Sequence, residues 1–86
     1  MAGILMYSTA WCPFCIRARQ LLEHKGKDWE EIDVDASPEL RREMRERSGR
    51  DTVPQIWIGD RHVGGCDELH ALDRSGELDA LLKAES

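Results

Sequence analysis

Long apolar stretches are missing from this 86-residue chain, and none approaches the ~20 residues of a membrane-spanning helix. Basic charge is in deficit too. Twelve Lys and Arg stand against seventeen Asp and Glu, giving −5 at pH 7. A binder of duplex nucleic acid or of anionic membrane would need a basic footprint, so neither is expected as a partner. The opening Met1-Ala2-Gly3-Ile4-Leu5 lacks the charged n-region and long apolar h-region of a secretory leader. Repeats, low-complexity segments and linkers are also absent. What remains has room for one core, so a single domain over residues 1–86 is expected, acting as a monomer in a cytoplasmic, reducing compartment.

Cysteine is scarce, and its count is odd. Three in 86 falls well below the density of a disulfide scaffold. Cys12 and Cys15 form a C-x-x-C pair, whereas Cys66 stands alone.

The periodicity predicts the order β-α-β-α-β-β-α-α. Ile4-Leu5-Met6-Tyr7 is a short continuous apolar run, suited to a central strand buried on both faces. A helix follows, with Cys15, Ala18, Leu21 and Leu22 on one face, Pro13 in its first turn and Lys25-Gly26 as its stop. Residues 29–35 alternate, with Ile32 and Val34 opposite Glu31 and Asp33, as in a strand with one wet face. Ser37-Pro38 caps a second helix anchored by Leu40 and Met44, and the rest of it is expected to be solvated. Gln55–Ile58 and Arg61–Val63 flank a Gly59-Asp60 turn. A helix from Asp67 to Ser75 and a short one carrying Leu78, Leu81 and Leu82 complete the chain. A β-α-β opening implies parallel strands with a right-handed crossover, and the hairpin adds an antiparallel pair. The fold class is α/β: a small mixed sheet of four strands flanked by helices.

Three segments carry chemistry. Cys12 lies at a strand-to-helix junction, where backbone N–H groups are unpaired and the helix dipole is positive; both favour a thiolate, the nucleophile of disulfide exchange. Cys15 falls on the apolar face and is expected to be less accessible. An attacking and a resolving thiol follow from that asymmetry. Half of a zinc site is the competing reading, but Cys66, His24, His62 and His70 show no ligand spacing, so no metal is expected. Thr52-Val53-Pro54 precedes a strand, either as a rigid edge turn or with a cis proline exposing the Val53 backbone to an extended peptide. Gly64-Gly65-Cys66-Asp67 reads as a glycine turn with an Asp cap, or as a site for a zwitterionic amino-acid end held by free N–H groups and a carboxylate. The three histidines are expected on the solvated surface, Trp29 and Trp57 in packing, and Trp11 beside the thiols.

Cys12-Pro13-Phe14-Cys15, Thr52-Val53-Pro54 and Gly64-Gly65-Cys66-Asp67, in that order and spacing, resemble the glutaredoxin family, most closely its small dithiol bacterial members, from Ile4 to Lys83. The resemblance implies a thioredoxin-like fold and reduction of protein disulfides and glutathione mixed disulfides with electrons from glutathione. It implies that Cys12 attacks and becomes glutathionylated, while Cys15 resolves. Thr52, Val53 and Pro54 would line the glutathione groove, with Val53 pairing to the tripeptide backbone. Gly65, Cys66 and Asp67 would clamp the γ-glutamyl end, its carboxylate on the N–H groups of Cys66 and Asp67 and its amine on the Asp67 side chain. Residue 14 is Phe where Tyr is commoner, and Thr9 stands where many relatives carry a lysine for the glycyl carboxylate. Arg45 is the candidate cation for that end. Two alternatives follow from the same likeness. A redoxin served by thioredoxin reductase would not need the Gly64–Asp67 clamp, and relatives that act as glutathione-ligated iron–sulfur scaffolds usually lack a proline at position 13.

Overall fold

In the computed structural model, which describes residues 3–84, four strands and four helices follow in the order that the periodicity predicts. Met1 and Ala2, part of the opening read for leader features, lie outside the described residues. The elements are β1 (Ile4–Ser8), α1 (Pro13–His24), β2 (Glu30–Asp33), α2 (Pro38–Ser48), β3 (Gln55–Ile58), β4 (Arg61–Gly64), α3 (Cys66–Ser75) and α4 (Glu77–Ala84). The sheet order is β2-β1-β3-β4, with β1 parallel to β2 and the other two pairs antiparallel. The apolar β1 run therefore occupies a central position.

Strand alternation divides the core in two. Ile4 and Met6 of β1 and Ile56 and Ile58 of β3 face Ala18, Leu21 and Leu22 of α1, Leu69 of α3, and Leu78 and Leu82 of α4. On the opposite face Tyr7 and Trp57 meet Val34 and Met44. Trp57 is buried and Trp29 packs against the first cluster, so both serve packing as expected.

Helix α2 needs more than its apolar anchors to stay on the sheet. Met44 is fully buried, but Leu40 is only half-buried. The charged residues expected in solvent supply the rest. Tyr7 donates its hydroxyl hydrogen to Glu43, Arg47 donates to the Tyr7 oxygen at 2.7 Å, and the Arg47 guanidinium lies 4.9 Å from the Trp57 ring centroid. These contacts satisfy the hydroxyl of a buried tyrosine, which would otherwise be costly to desolvate. Gly49, at φ 73°, closes the helix in the left-handed conformation that glycine adopts without Cβ strain.

Other boundaries move for local reasons. Strand β2 stops at Asp33, whose carboxylate accepts the Asp35 N–H at 2.8 Å and turns the chain. Helix α3 begins at Cys66, one residue ahead of the expected start. Lys25, read as a cation for the end of α1, instead reaches Asp73 of α3 at 2.7 Å and Asp79 of α4 at 2.9 Å. No helix among the described residues is long and apolar enough to cross a membrane.

Candidate active site

Sheet register brings the three chemical segments together. Tyr7 pairs with Gln55, so the segment leaving β1 lies beside the segment entering β3. Ile56 pairs with Gly64, which brings the end of β4 to the same edge. Cys12 thus meets Val53, and a Cβ built on Gly65 would lie 3.5 Å from the Pro54 carbonyl. The Val53–Pro54 bond is cis.

Cys12 is the N-cap of α1 in extended conformation, and Pro13 takes the first turn. The Cys15 N–H donates to Cys12 Sγ at 3.4 Å, and the Cys12 thiol donates to the Val53 carbonyl at 3.7 Å. Cys12 is half-buried and Cys15 is fully buried. Burial pushes the Cys15 thiol up to about 12, against a hydrogen bond from the Thr9 backbone that pulls the other way. At neutral pH Cys15 therefore remains a neutral thiol. The two cysteines differ in access, as the helix face suggested.

A cation stands behind the pair. Arg19 donates from Nε to Glu31 Oε2 at 2.8 Å and from Nη2 to the Thr9 carbonyl at 3.3 Å. Ser8 and Trp29 also donate to Glu31, at 2.6 and 2.8 Å. Burial pushes the Glu31 carboxyl up, but these three donors together hold it down at about 2. The cluster fastens edge strand β2 to α1 and fixes the segment that leads into Cys12.

Beside the thiols lies a cleft of about 130 Å³. Thr52, Val53 and Pro54 line one side, Gly65, Cys66 and Asp67 the other, and Phe14 of α1 lies against it. The six residues expected to bind glutathione thus all line this cleft, whereas Trp11, expected beside the thiols, is exposed and not among its lining residues. Cys66 itself is buried, which leaves its backbone as the part available to a ligand at the start of α3. A larger cavity of about 580 Å³ opens at the other end of the sheet, by Gly3, Trp57 and Gly59, and contains no cysteine.

Arg50 and Glu68 also line the cleft, and sequence reasoning passed over both. Arg45, the candidate cation, lies 4.0 Å from Asp51 and is not among the lining residues. Glu68 at the third position of α3 accepts the Gly65 N–H at 2.6 Å. This is half of a capping box, since the glycine N-cap has no side chain to return the bond. An acidic residue three places after a helix-opening glycine was the available signal for it. That N–H, opposed by some burial and reinforced by Arg50, holds the Glu68 carboxyl below the usual range.

Two histidines depart from the surface expectation. His62 is half-buried in β4, with Nε2 2.7 Å from Gln55 Oε1 and its ring 4.7 Å from that of Trp57. His70 is half-buried on α3, whereas His24 is exposed. Among the described residues no three His, Cys, Asp or Glu side chains form a group that could hold a metal ion.

An unequal dithiol opening a helix on this sheet defines a thiol–disulfide oxidoreductase of thioredoxin-like fold. The family model for glutaredoxin matches residues 4–63. A glutaredoxin of Pseudomonas aeruginosa is 62% identical over 84 residues, spanning 98% of this chain and 100% of its own. The solution structure of a glutaredoxin from Brucella melitensis aligns with a TM-score of 0.86 at 55% identity, covering 100% of this chain and 94% of that one. A buckwheat glutaredoxin–glutathione complex aligns with a TM-score of 0.90 at 27% identity, covering 96% and 78%. The chain belongs to the glutaredoxin family of oxidoreductases.

Proposed function

We propose that this chain reduces protein disulfides and glutathione mixed disulfides through its Cys12-Pro13-Phe14-Cys15 centre, with glutathione as reductant. One observation carries the reading: a half-exposed Cys12 that receives a backbone N–H sits beside a fully buried Cys15 and against Val53 of the cleft. In the first step Cys12 attacks the glutathionyl sulfur of a mixed disulfide. The client thiolate leaves and takes a proton, and Cys12 keeps the glutathionyl group. A free glutathione then attacks that group, releasing oxidised glutathione and the Cys12 thiolate. With a protein disulfide, Cys12 forms a mixed disulfide with the client, and Cys15 displaces it. The resulting Cys12–Cys15 disulfide returns to the dithiol at the expense of two glutathione molecules.

The glutathionyl group lies in the cleft with its backbone along Val53, between Thr52 and Pro54. Its γ-glutamyl carboxylate takes the N–H groups of Cys66 and Asp67 beside Gly65, and its amine takes the Asp67 carboxylate. The buckwheat relative solved as a glutathione complex supports glutathione as the ligand. Residues 1–86 work as one domain and as a monomer. The setting is the cytoplasm, where thiols are kept reduced. Clients are proteins bearing disulfides or glutathionylated cysteines, and no metal takes part.

Asp67→Asn tests the clamp. Losing a charge-assisted hydrogen bond costs about 1.5–3 kcal/mol, tenfold or more in kcat/KM for a glutathionylated peptide. Turnover of a mixed disulfide lacking the γ-glutamyl amine should change little. Equal loss on both substrates would make Asp67 a helix cap only.

A further inference from the structure

One charged pair in the cleft has no part in the redox steps. Arg50 Nη1 stands 3.4 Å from Glu68 Oε1, and both side chains keep nearly half their surface in water, where such a pair is weak. Arg50 is the one cation among the residues that line the cleft, and Asp67 and Glu68 are its two carboxylates. Glu68 is anchored independently of Arg50, because its Oε1 also accepts the Gly65 N–H. A Cβ on Gly64 would come within 2.8 Å of that same oxygen and within 3.0 Å of Arg50 Nη1. The pair is therefore packed closely against the glycine turn that leads into α3.

We propose that Arg50 is a specificity-determining residue that binds the α-carboxylate of the γ-glutamyl end of the substrate, in competition with Glu68. This rests on the reading that the glutathionyl group occupies the cleft. Its amino-acid end carries both charges: Asp67 takes the ammonium, and the carboxylate beside it lies on the wall that Arg50 lines. A guanidinium meets a carboxylate with two parallel N–H donors, which Glu68, holding Arg50 through one nitrogen at 3.4 Å, does not fully engage. When a substrate carboxylate arrives, Arg50 turns to it and Glu68 keeps the Gly65 N–H. The resident carboxylate thus costs affinity, so the two residues act with opposite signs. A purely structural ion pair would give the same sign for both.

The test compares wild type, Arg50→Gln and Glu68→Gln on one peptide, carried as a mixed disulfide with glutathione or with cysteinylglycine, which lacks the γ-glutamyl group. Glutamine at 68 retains an oxygen for the Gly65 N–H, so the helix start is preserved. With the glutathione adduct, Arg50→Gln should lower kcat/KM about threefold to tenfold, and Glu68→Gln should raise it about twofold to threefold, both mainly through KM. With the cysteinylglycine adduct neither variant should differ from wild type. If wild type does not prefer the glutathione adduct, the occupancy of the cleft is wrong and this proposal falls with it. If wild type prefers it and Arg50→Gln keeps the full preference, only the role of Arg50 is overturned. A lower kcat/KM in Glu68→Gln would overturn the competition.

Discussion

Cys15→Ser is expected to keep its turnover of a glutathionylated peptide and to lose protein-disulfide reduction by about a hundredfold or more. Removing a glutathionyl group needs one attacking thiol, since free glutathione resolves the intermediate. A client held by a mixed disulfide is released quickly only by a second thiol in the same site, where effective concentration is high. Cys12→Ser should lose both activities. The remaining Cys15 is fully buried, and its thiol, pushed up to about 12, holds its proton across the neutral range. Iodoacetamide should therefore modify Cys15 in that variant slowly at pH 7, accelerating as pH rises toward 12. Full deglutathionylation by Cys12→Ser, or its loss in Cys15→Ser, would reverse the assignment.

Leu69→Ala is expected to destabilise the whole chain and not α3 alone. Leu69 is fully buried in the cluster that joins α1, β1, β3 and α4, although it lies beyond the residues matched by the family model. A buried Leu→Ala change costs about 2–5 kcal/mol, out of the roughly 5–15 kcal/mol that holds a domain folded. For a domain of this size that lowers Tm by at least about 10 °C. Thermal unfolding followed by far-ultraviolet circular dichroism and by tryptophan fluorescence should show one coincident transition, shifted down in both signals. Two separate transitions, with only one shifted, would mean that α3 and α4 are an appendage to the domain.

The element order was legible because apolar spacing, glycines and Ser37-Pro38 all pointed the same way. The dithiol was legible as well, since a C-x-x-C at a strand-to-helix junction has one dominant physical reading. Pairings across long sequence gaps were hidden. Arg47 reads as one more solvated charge on α2 until Tyr7 and Trp57 are placed beneath it. Lys25 reads as a dipole cation until α3 and α4 are folded back against the end of α1. Arg50 and Glu68 are separated by 18 residues and meet because the β3–β4 hairpin returns the chain to the cleft. Arg45, the candidate cation for the glycyl end, lies 4.0 Å from Asp51. Val34 and Asp35 were counted as part of the strand, although the Asp33 side chain competes for the backbone two residues on and ends it at Asp33.

Reduction of the Cys12–Cys15 disulfide by glutathione bears most directly on the proposed function. The oxidised protein would be incubated with glutathione, NADPH and glutathione reductase, and NADPH loss followed alongside the thiols that appear on the protein. The account predicts that two thiols, Cys12 and Cys15, are regenerated with matching NADPH consumption. A disulfide that dithiothreitol opens readily but glutathione leaves intact would contradict it.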